Sequence, residues 1–243
     1  MSAITEKTSD GQGVEHSSGR RNFLKSSAAL VGGLIIGFYL PVKGGRAFAA
    51  EGATKPQIYP PNAFIRISPE GVVTVIVNKS EMGQGVYTSL PMLIAEELEA
   101  DWNTIRVEAA PVGAIYNHTG FGMQITGGSS SIPSSWEQLR RVGATARVML
   151  VQAAAQQWGV PAGECRAENG VVKHASGKSL GYGELATAAA QLPMPENVPL
   201  KNPRDFKIIG KSIKRIDTPE KINGTAQFGL DVYLPDMLTV LIA

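Results

Sequence analysis

From position 62 onward the chain first alternates. Phe64-Ile65-Arg66-Ile67, a Pro69-Glu70-Gly71 turn and Val72-Val73-Thr74-Val75-Ile76-Val77 predict a strand, a tight turn and a strand. Asn78 to Val86 is polar and glycine-bearing, hence a loop. Leu90, Leu93, Ile94 and Leu98 then recur at helical spacing and predict a helix over 88–100, with Pro91 tolerable only in its first turn. Ile105, Val107 and Ala109 alternate with Arg106 and Glu108, a short strand. Residues 111–132 show no period and read as a long glycine- and serine-rich loop, a kind usually functional or disordered. Ser134-Ser135-Trp136-Glu137 has the form of a capping box. It leads a long amphipathic helix marked by Trp136, Leu139, Val142, Ala146, Met149, Leu150, Ala153 and Trp158. Gln138, Arg141, Thr145, Gln152 and Gln156 fall mostly off that stripe, and Gly159 stops the helix.

Further on, Asn169-Gly170 within 166–174 is a strong hairpin signal, and 179–192 reads as another helix. Pro193, Pro195, Pro199 and Pro203 within 193–204 indicate an extended linker and a candidate domain boundary. Lys207-Ile208-Ile209-Gly210 and 226–232 suggest short strands. The run Leu238 to Ala243 reads as a strand entering a core, so the expectation is a chain truncated inside its second domain.

Composition narrows the class. A 43% hydrophobic and 18% charged chain suits a packed core rather than disorder. The net charge of +2 comes from the first 49 residues; beyond them the basic and acidic counts are 17 and 18, which leaves nothing to attract nucleic acid. Those 49 residues hold Arg20-Arg21-Asn22-Phe23-Leu24-Lys25, an apolar run from Ala28 to Leu40, and Ala47-Phe48-Ala49 as a small-x-small cleavage site. The apolar run is too short to span a bilayer, and the arginine pair resembles a twin-arginine export signal, which implies a periplasmic destination. One cysteine, Cys165, and three scattered histidines offer no Cys/His metal cluster.

Candidate chemistry sits in two loops. Glu81-Met82-Gly83-Gln84-Gly85 precedes the first predicted helix, and Thr126-Gly127-Gly128-Ser129-Ser130-Ser131 precedes the second. A loop entering a helix N-terminus offers unpaired N–H groups and the positive end of the dipole, which suits phosphate. Gln84 adds an amide suited to a heterocycle edge. The pair, one loop per strand-to-helix junction, points to a phosphate-bearing heterocyclic cofactor. Competing motifs fail. Gly210-Lys211-Ser212 lacks the first P-loop glycine, since position 205 is Asp205. Gly181-Tyr182-Gly183 follows a polar stretch and reads as a helix start. His118 reads as an exposed loop histidine, His174 as a surface one, and Cys165 as a small core residue rather than a nucleophile.

Taken together, these motifs resemble the molybdopterin-binding large subunits of the xanthine oxidase family, in the exported branch of isoquinoline 1-oxidoreductase beta subunits and membrane-associated aldehyde dehydrogenases. Glu81 to Thr88 with Ala95-Glu96-Glu97-Leu98 resembles the family's pterin-binding loop and helix, and Thr126 to Ser131 its second cofactor loop. Ile209-Gly210-Lys211-Ser212, Arg215-Ile216-Asp217, Lys221 to Ala226 and Asp231 to Leu238 resemble the entry to its α/β hammerhead domain. The resemblance implies an α+β fold, a molybdenum-cofactor-binding segment followed by the start of a hammerhead domain. The divisions expected are a signal peptide over 1–49, a flexible lead-in over 50–61, the cofactor-binding segment over 62–192, the linker over 193–204 and the hammerhead start over 205–243.

It further implies molybdopterin cytosine dinucleotide as cofactor and an aldehyde or N-heterocycle as substrate, hydroxylated with water-derived oxygen. A partner subunit would carry two [2Fe-2S] clusters, often with a c-type cytochrome beyond it. Gly83, Gln84 and Gly85 would contact the pterin or its phosphate. Gly128, Ser129 and Ser131 would line the pterin near molybdenum, with Thr126 supporting that loop. The pterin dithiolene, not the protein, would hold the metal, and the catalytic glutamate is expected outside this chain. The rival expectations are a non-catalytic periplasmic binding or assembly module of the same fold, and a nucleotide-dependent oxidoreductase using Gly83-x-Gly85.

Overall fold

The computed structural model describes residues 63–241. The export signal, the lead-in and the end of the terminal apolar run (Ile242, Ala243) lie outside the described residues. The elements are β1 (Ile65–Ile67), β2 (Val73–Val77), α1 (Val86–Leu98), β3 (Ile105–Ala109), α2 (Ser131–Trp158), β4 (Cys165–Glu168), β5 (Val171–His174), β6 (Ser179–Gly181), α3 (Tyr182–Ala190) and α4 (Thr218–Ile222).

Strands β1, β2 and β3 form one sheet with β2 in the centre. The β1–β2 pair is antiparallel across the predicted turn, and β2 runs parallel to β3, Val73 opposite Ile105 and Val77 opposite Ala109. Parallel neighbours need a crossover, and α1 supplies it. β4, β5 and β6 form a second, antiparallel sheet, turned at Asn169-Gly170, both in left-handed conformation. Phe64, Val75, Leu90, Ile94, Leu98, Leu139, Val142, Leu150, Tyr182 and Leu185 form a continuous core between the first sheet and α1, α2 and α3. The arrangement is the α+β one expected.

Two close approaches fix it. A Cβ on Gly143 would lie 2.5 Å from the Ile94 carbonyl oxygen, so glycine lets α2 cross α1 at contact distance. A Cβ on Gly183 would lie 2.1 Å from the Pro69 carbonyl oxygen, where α3 starts against the β1–β2 turn.

Several local expectations are corrected. α1 starts at Val86, which puts Pro91 in its second turn rather than its first. There the ring removes one intrahelical donor, a cost that burial of the helix on most sides absorbs. α2 starts at Ser131 with Ser130 at its N-cap, so Ser134 is already inside the helix. Its hydroxyl leans back to the Ser131 carbonyl at 3.5 Å and Glu137 pairs forward with Arg141 at 2.7 Å, so no capping box forms. Residues 179–181 are a strand paired to β5 before α3 begins.

Residues 205–241 contain no strand among the described residues. A strand needs a neighbour for its N–H and C=O groups, and no described segment offers these residues one. Leu230, Leu238, Val240 and Leu241 accordingly stand exposed.

The proline-rich segment is extended but anchored. The Lys201 N–H donates to Glu97, and the Lys201 ammonium pairs with Glu96 and with Glu99. Glu96 Oε2 also accepts the successive N–H groups of Lys207, Ile208 and Ile209 at 2.9, 2.7 and 3.0 Å. Burial alone would push the Glu96 carboxyl up; Lys201 and these N–H groups outweigh it and hold it below the usual range. Arg140 pairs with Glu97 at 2.6 Å, donates to the Lys201 carbonyl and stacks beside Trp136 and Phe206. This strap, residues 193–217, thereby covers part of the polar side of α2. Arg140 is buried within it, and Gln138 and Thr145, expected off the buried stripe, are buried as well.

Candidate functional site

Ligands of α/β units bind where loops leave the carboxyl ends of parallel strands. Here β2 and β3 are such a pair. The first candidate loop leaves β2 and enters α1; the second belongs to the segment that leaves β3 and enters α2. The Ser80 N–H donates to Thr126 Oγ1 at 2.8 Å, so the structure brings the two loops together. Through that bond Thr126 ties the start of the second loop to Ser80.

The first loop is internally sealed. Glu81 Oε1 accepts the N–H groups of Gly83 and Gly85 at 2.8 and 3.0 Å, and its Oε2 accepts that of Tyr87 at 3.0 Å. The helix start expected to hold an external phosphate thus holds the chain's own carboxylate. Burial raises the Glu81 carboxyl, but the three N–H groups and Arg215 bring it below its ordinary value. Arg215, from the strap, donates to the Gly83 carbonyl at 2.8 Å and pairs with Glu81 and Asp217. Gln84 braces the same turn: its carbonyl accepts the Met82 N–H at 2.7 Å and its amide donates to Ser80 O at 2.8 Å. Gly83 and Gly85 have φ of 104° and 90°, and a Cβ on either would meet nothing within 4 Å. Their outer faces are open while their N–H groups are spent.

The second loop is open. Gly128 and Ser129 have left-handed φ of 62° and 53°. Among the described residues the N–H groups of Gly128, Ser129, Ser131 and Ile132 have no hydrogen-bond partner, and the side chains of Ser129 and Ser131 have none either. Position 133 is proline and adds no donor. Four unpaired N–H groups at the start of a 28-residue helix favour an anion.

His118 holds this loop in place, and sequence reasoning missed it. It is buried, not exposed. Its Nδ1 accepts the Gly120 N–H at 2.9 Å, so its Nε2 carries the hydrogen toward Ser130 Oγ, also at 2.9 Å. Ser130 Oγ in turn donates to the Gly127 carbonyl at 2.8 Å. Burial, then the Lys79 charge, hold His118 below its usual pKa, consistent with the neutral ring this chain of bonds requires.

At the carboxyl ends of β2 and β3, beside the Ser80–Thr126 bond, lies a cavity of about 200 Å³, lined among others by Val77, Lys79, Ser80, Tyr87, Ala110 and Thr126. Lys79 is buried, and its ammonium donates to the Ile125 carbonyl at 3.0 Å. It too escaped the sequence reading, although a polar residue just past a buried parallel strand is a usable signal. His174 is half-buried between Glu164 and Ser176 rather than superficial. Cys165 is only partly buried in β4; burial and Glu164 push its thiol up, so it is no thiolate nucleophile. Among the described residues no cluster of three His, Cys, Asp or Glu side chains could hold a metal.

Such a pair of loops on adjoining parallel strands defines a cofactor-binding α+β segment, and comparison with known proteins names its class. Residues 36–232 match the molybdopterin cofactor-binding domain family. The chain belongs to that family, on the xanthine oxidase side that its loops resemble. It is 32% identical to the beta subunit of isoquinoline 1-oxidoreductase from Brevundimonas diminuta, over 92% of this chain and 33% of that one. It is 31% identical to the membrane-bound aldehyde dehydrogenase [pyrroloquinoline-quinone] of Gluconacetobacter polyoxogenes, over 94% of this chain and 30% of that one. A nicotinate dehydrogenase subunit from Pseudomonas putida is 32% identical over 72% of this chain and 14% of its own length. A solved quinoline 2-oxidoreductase from Pseudomonas putida aligns over 55% of this chain and 17% of its own at 19% identity, with a TM-score of 0.35. The chain spans about a third of the length of the first two relatives.

Proposed function

We propose that the chain is part of the large subunit of a molybdenum hydroxylase and supplies one wall of its pterin seat. The observation that carries this reading is the set of unpaired N–H groups of Gly128, Ser129, Ser131 and Ile132, in a loop that the Ser80–Thr126 bond ties to the segment carrying the sealed Glu81 turn. The donor set suits a pterin phosphate: backbone N–H groups, serine hydroxyls and a buried lysine. Bound there, the cofactor would supply a two-electron oxidation with oxygen from water. This chain's residues bind and orient it. Ser129 and Ser131 donate to its polar edge, Gln84 offers the amide hydrogen not given to Ser80, and Gly83 and Gly85 let the cofactor approach the first loop through their open faces.

The relatives' names support an aldehyde or an N-heterocycle as substrate, and the family match favours a pterin over a quinone as resident cofactor. Molybdopterin cytosine dinucleotide is the form proposed, with a small [2Fe-2S] subunit and a c-type cytochrome as electron partners. The arginine pair and apolar run of the first 49 residues support twin-arginine export to the periplasm. The test is metal analysis of the full-length subunit with acid release of its nucleotide. Molybdenum with cytidine monophosphate is expected; the absence of both would refute the proposal.

A further inference from the structure

We infer that Lys79 is the cation of an anion subsite at the carboxyl ends of β2 and β3, and that it takes the phosphate of the pterin cofactor. The inference rests on the proposed function and assigns that phosphate a residue. Lys79 is 3% exposed, yet among the described residues no carboxylate pairs with it. An ammonium has three donors, and here one neutral carbonyl, Ile125 O, takes one of them. Removing an ammonium from water costs several kcal/mol, which one neutral acceptor does not return. A structural brace between β2 and the second loop would be made more cheaply by an apolar side chain.

The surroundings fit an anion. The cavity that Lys79 lines contains no Asp or Glu. Glu81, two residues away, spends both oxygens on α1 and Arg215. Ser80, Tyr87 and Thr126, three residues with hydroxyl groups, line the same cavity. Thr126 Oγ1 accepts from Ser80 N, which leaves its own hydrogen to donate. Burial and the neighbouring Glu81 push the Tyr87 phenol up, so it stays a neutral donor. Burial likewise lowers the Lys79 ammonium from its ordinary value, the direction that an arriving anion would reverse.

The experiment uses the full-length subunit, loaded and then stripped of cofactor, as wild type, Lys79→Gln, Lys79→Met and Lys79→Arg. Pterin loss on dilution should be at least about tenfold faster in the Gln and Met variants, with Arg intermediate. Stripped Lys79→Gln or Lys79→Met should unfold no earlier than stripped wild type, because an uncompensated buried charge has gone. Unchanged pterin loss overturns the inference. So does an earlier unfolding of the stripped variants, which would mark Lys79 as a brace. Should the wild type carry no pterin, the proposed function falls, and inorganic phosphate then judges the subsite. Protection of wild type but not of Lys79→Gln against unfolding supports it, and no protection refutes it.

Discussion

The two glycine loops look alike in sequence and differ in what their helices have left to give. At the first, Glu81 fills the N-terminus of α1 and Arg215 ties the loop to the strap, so the local anion is the protein's own. At the second, no acidic side chain among the described residues accepts from the first turn of α2, and the N–H groups stay available. A glycine loop before a helix is therefore not by itself an anion site; a nearby carboxylate with the right reach consumes it. The first loop is a rigid wall, the second a donor surface.

The strongest way to break this contrast is to move both loops at once. Gly143→Ala forces a Cβ against Ile94 O and Glu97, prying α1 from α2, the two helices that the loops begin. A loss of about 2–3 kcal/mol is expected by denaturant unfolding, with pterin content falling too. Next, Glu81→Gln should cost about 2 kcal/mol, because it weakens three N–H contacts and the Arg215 pair. Its pH behaviour sharpens the point. The folded carboxyls of Glu81 and Glu96 sit below their ordinary value of 4.5, so their contribution is complete above that value and is lost below it, as pH falls through the depressed folded values. Thermal midpoints measured on acidification should fall less steeply for Glu81→Gln than for wild type. An equal slope would show that Glu81 does not carry the cap.

Smaller effects separate the loops further. Ser130→Ala cuts the His118 chain and should cost about 1 kcal/mol, while loosening the second loop to hydrogen exchange. Gln84→Ala, at an exposed brace, should shift stability by only about 0.5 kcal/mol and reduce cofactor retention more than it reduces stability. Normal retention in that variant would remove Gln84 from the seat.

Much of the fold is legible in the sequence because it depends on local periodicity. The β-run at 72–77, the spacing of Leu90, Ile94 and Leu98, and Asn169-Gly170 each specify an element without help from distant residues. The pairing of the two loops with strand-to-helix junctions is legible for the same reason. What stays hidden depends on partners far away in sequence. Ser134 resembles a cap because Glu137 follows it, but the chain enters the helix three residues earlier. The prolines of 193–204 resemble a free linker because their anchors, Glu96, Glu97 and Arg140, lie on two helices. His118 resembles a loop residue because nothing nearby reveals its burial, and Lys79 because only its place just past β2 hints at it. The short strands read over 205–241 do not form because a strand signal supplies no neighbour to pair with.

The deciding question is whether the second loop's N–H row seats the cofactor. It is tested most directly by pterin content in the full-length subunit carrying Gly128→Val. A Cβ there would meet nothing within 4 Å, but valine resists the left-handed φ of 62°, so the turn that presents the donor row has to change its backbone path. Stoichiometric pterin is expected in wild type and its loss from the variant, with the thermal midpoint of the stripped variant only slightly below that of stripped wild type. Full pterin retention in Gly128→Val would contradict it.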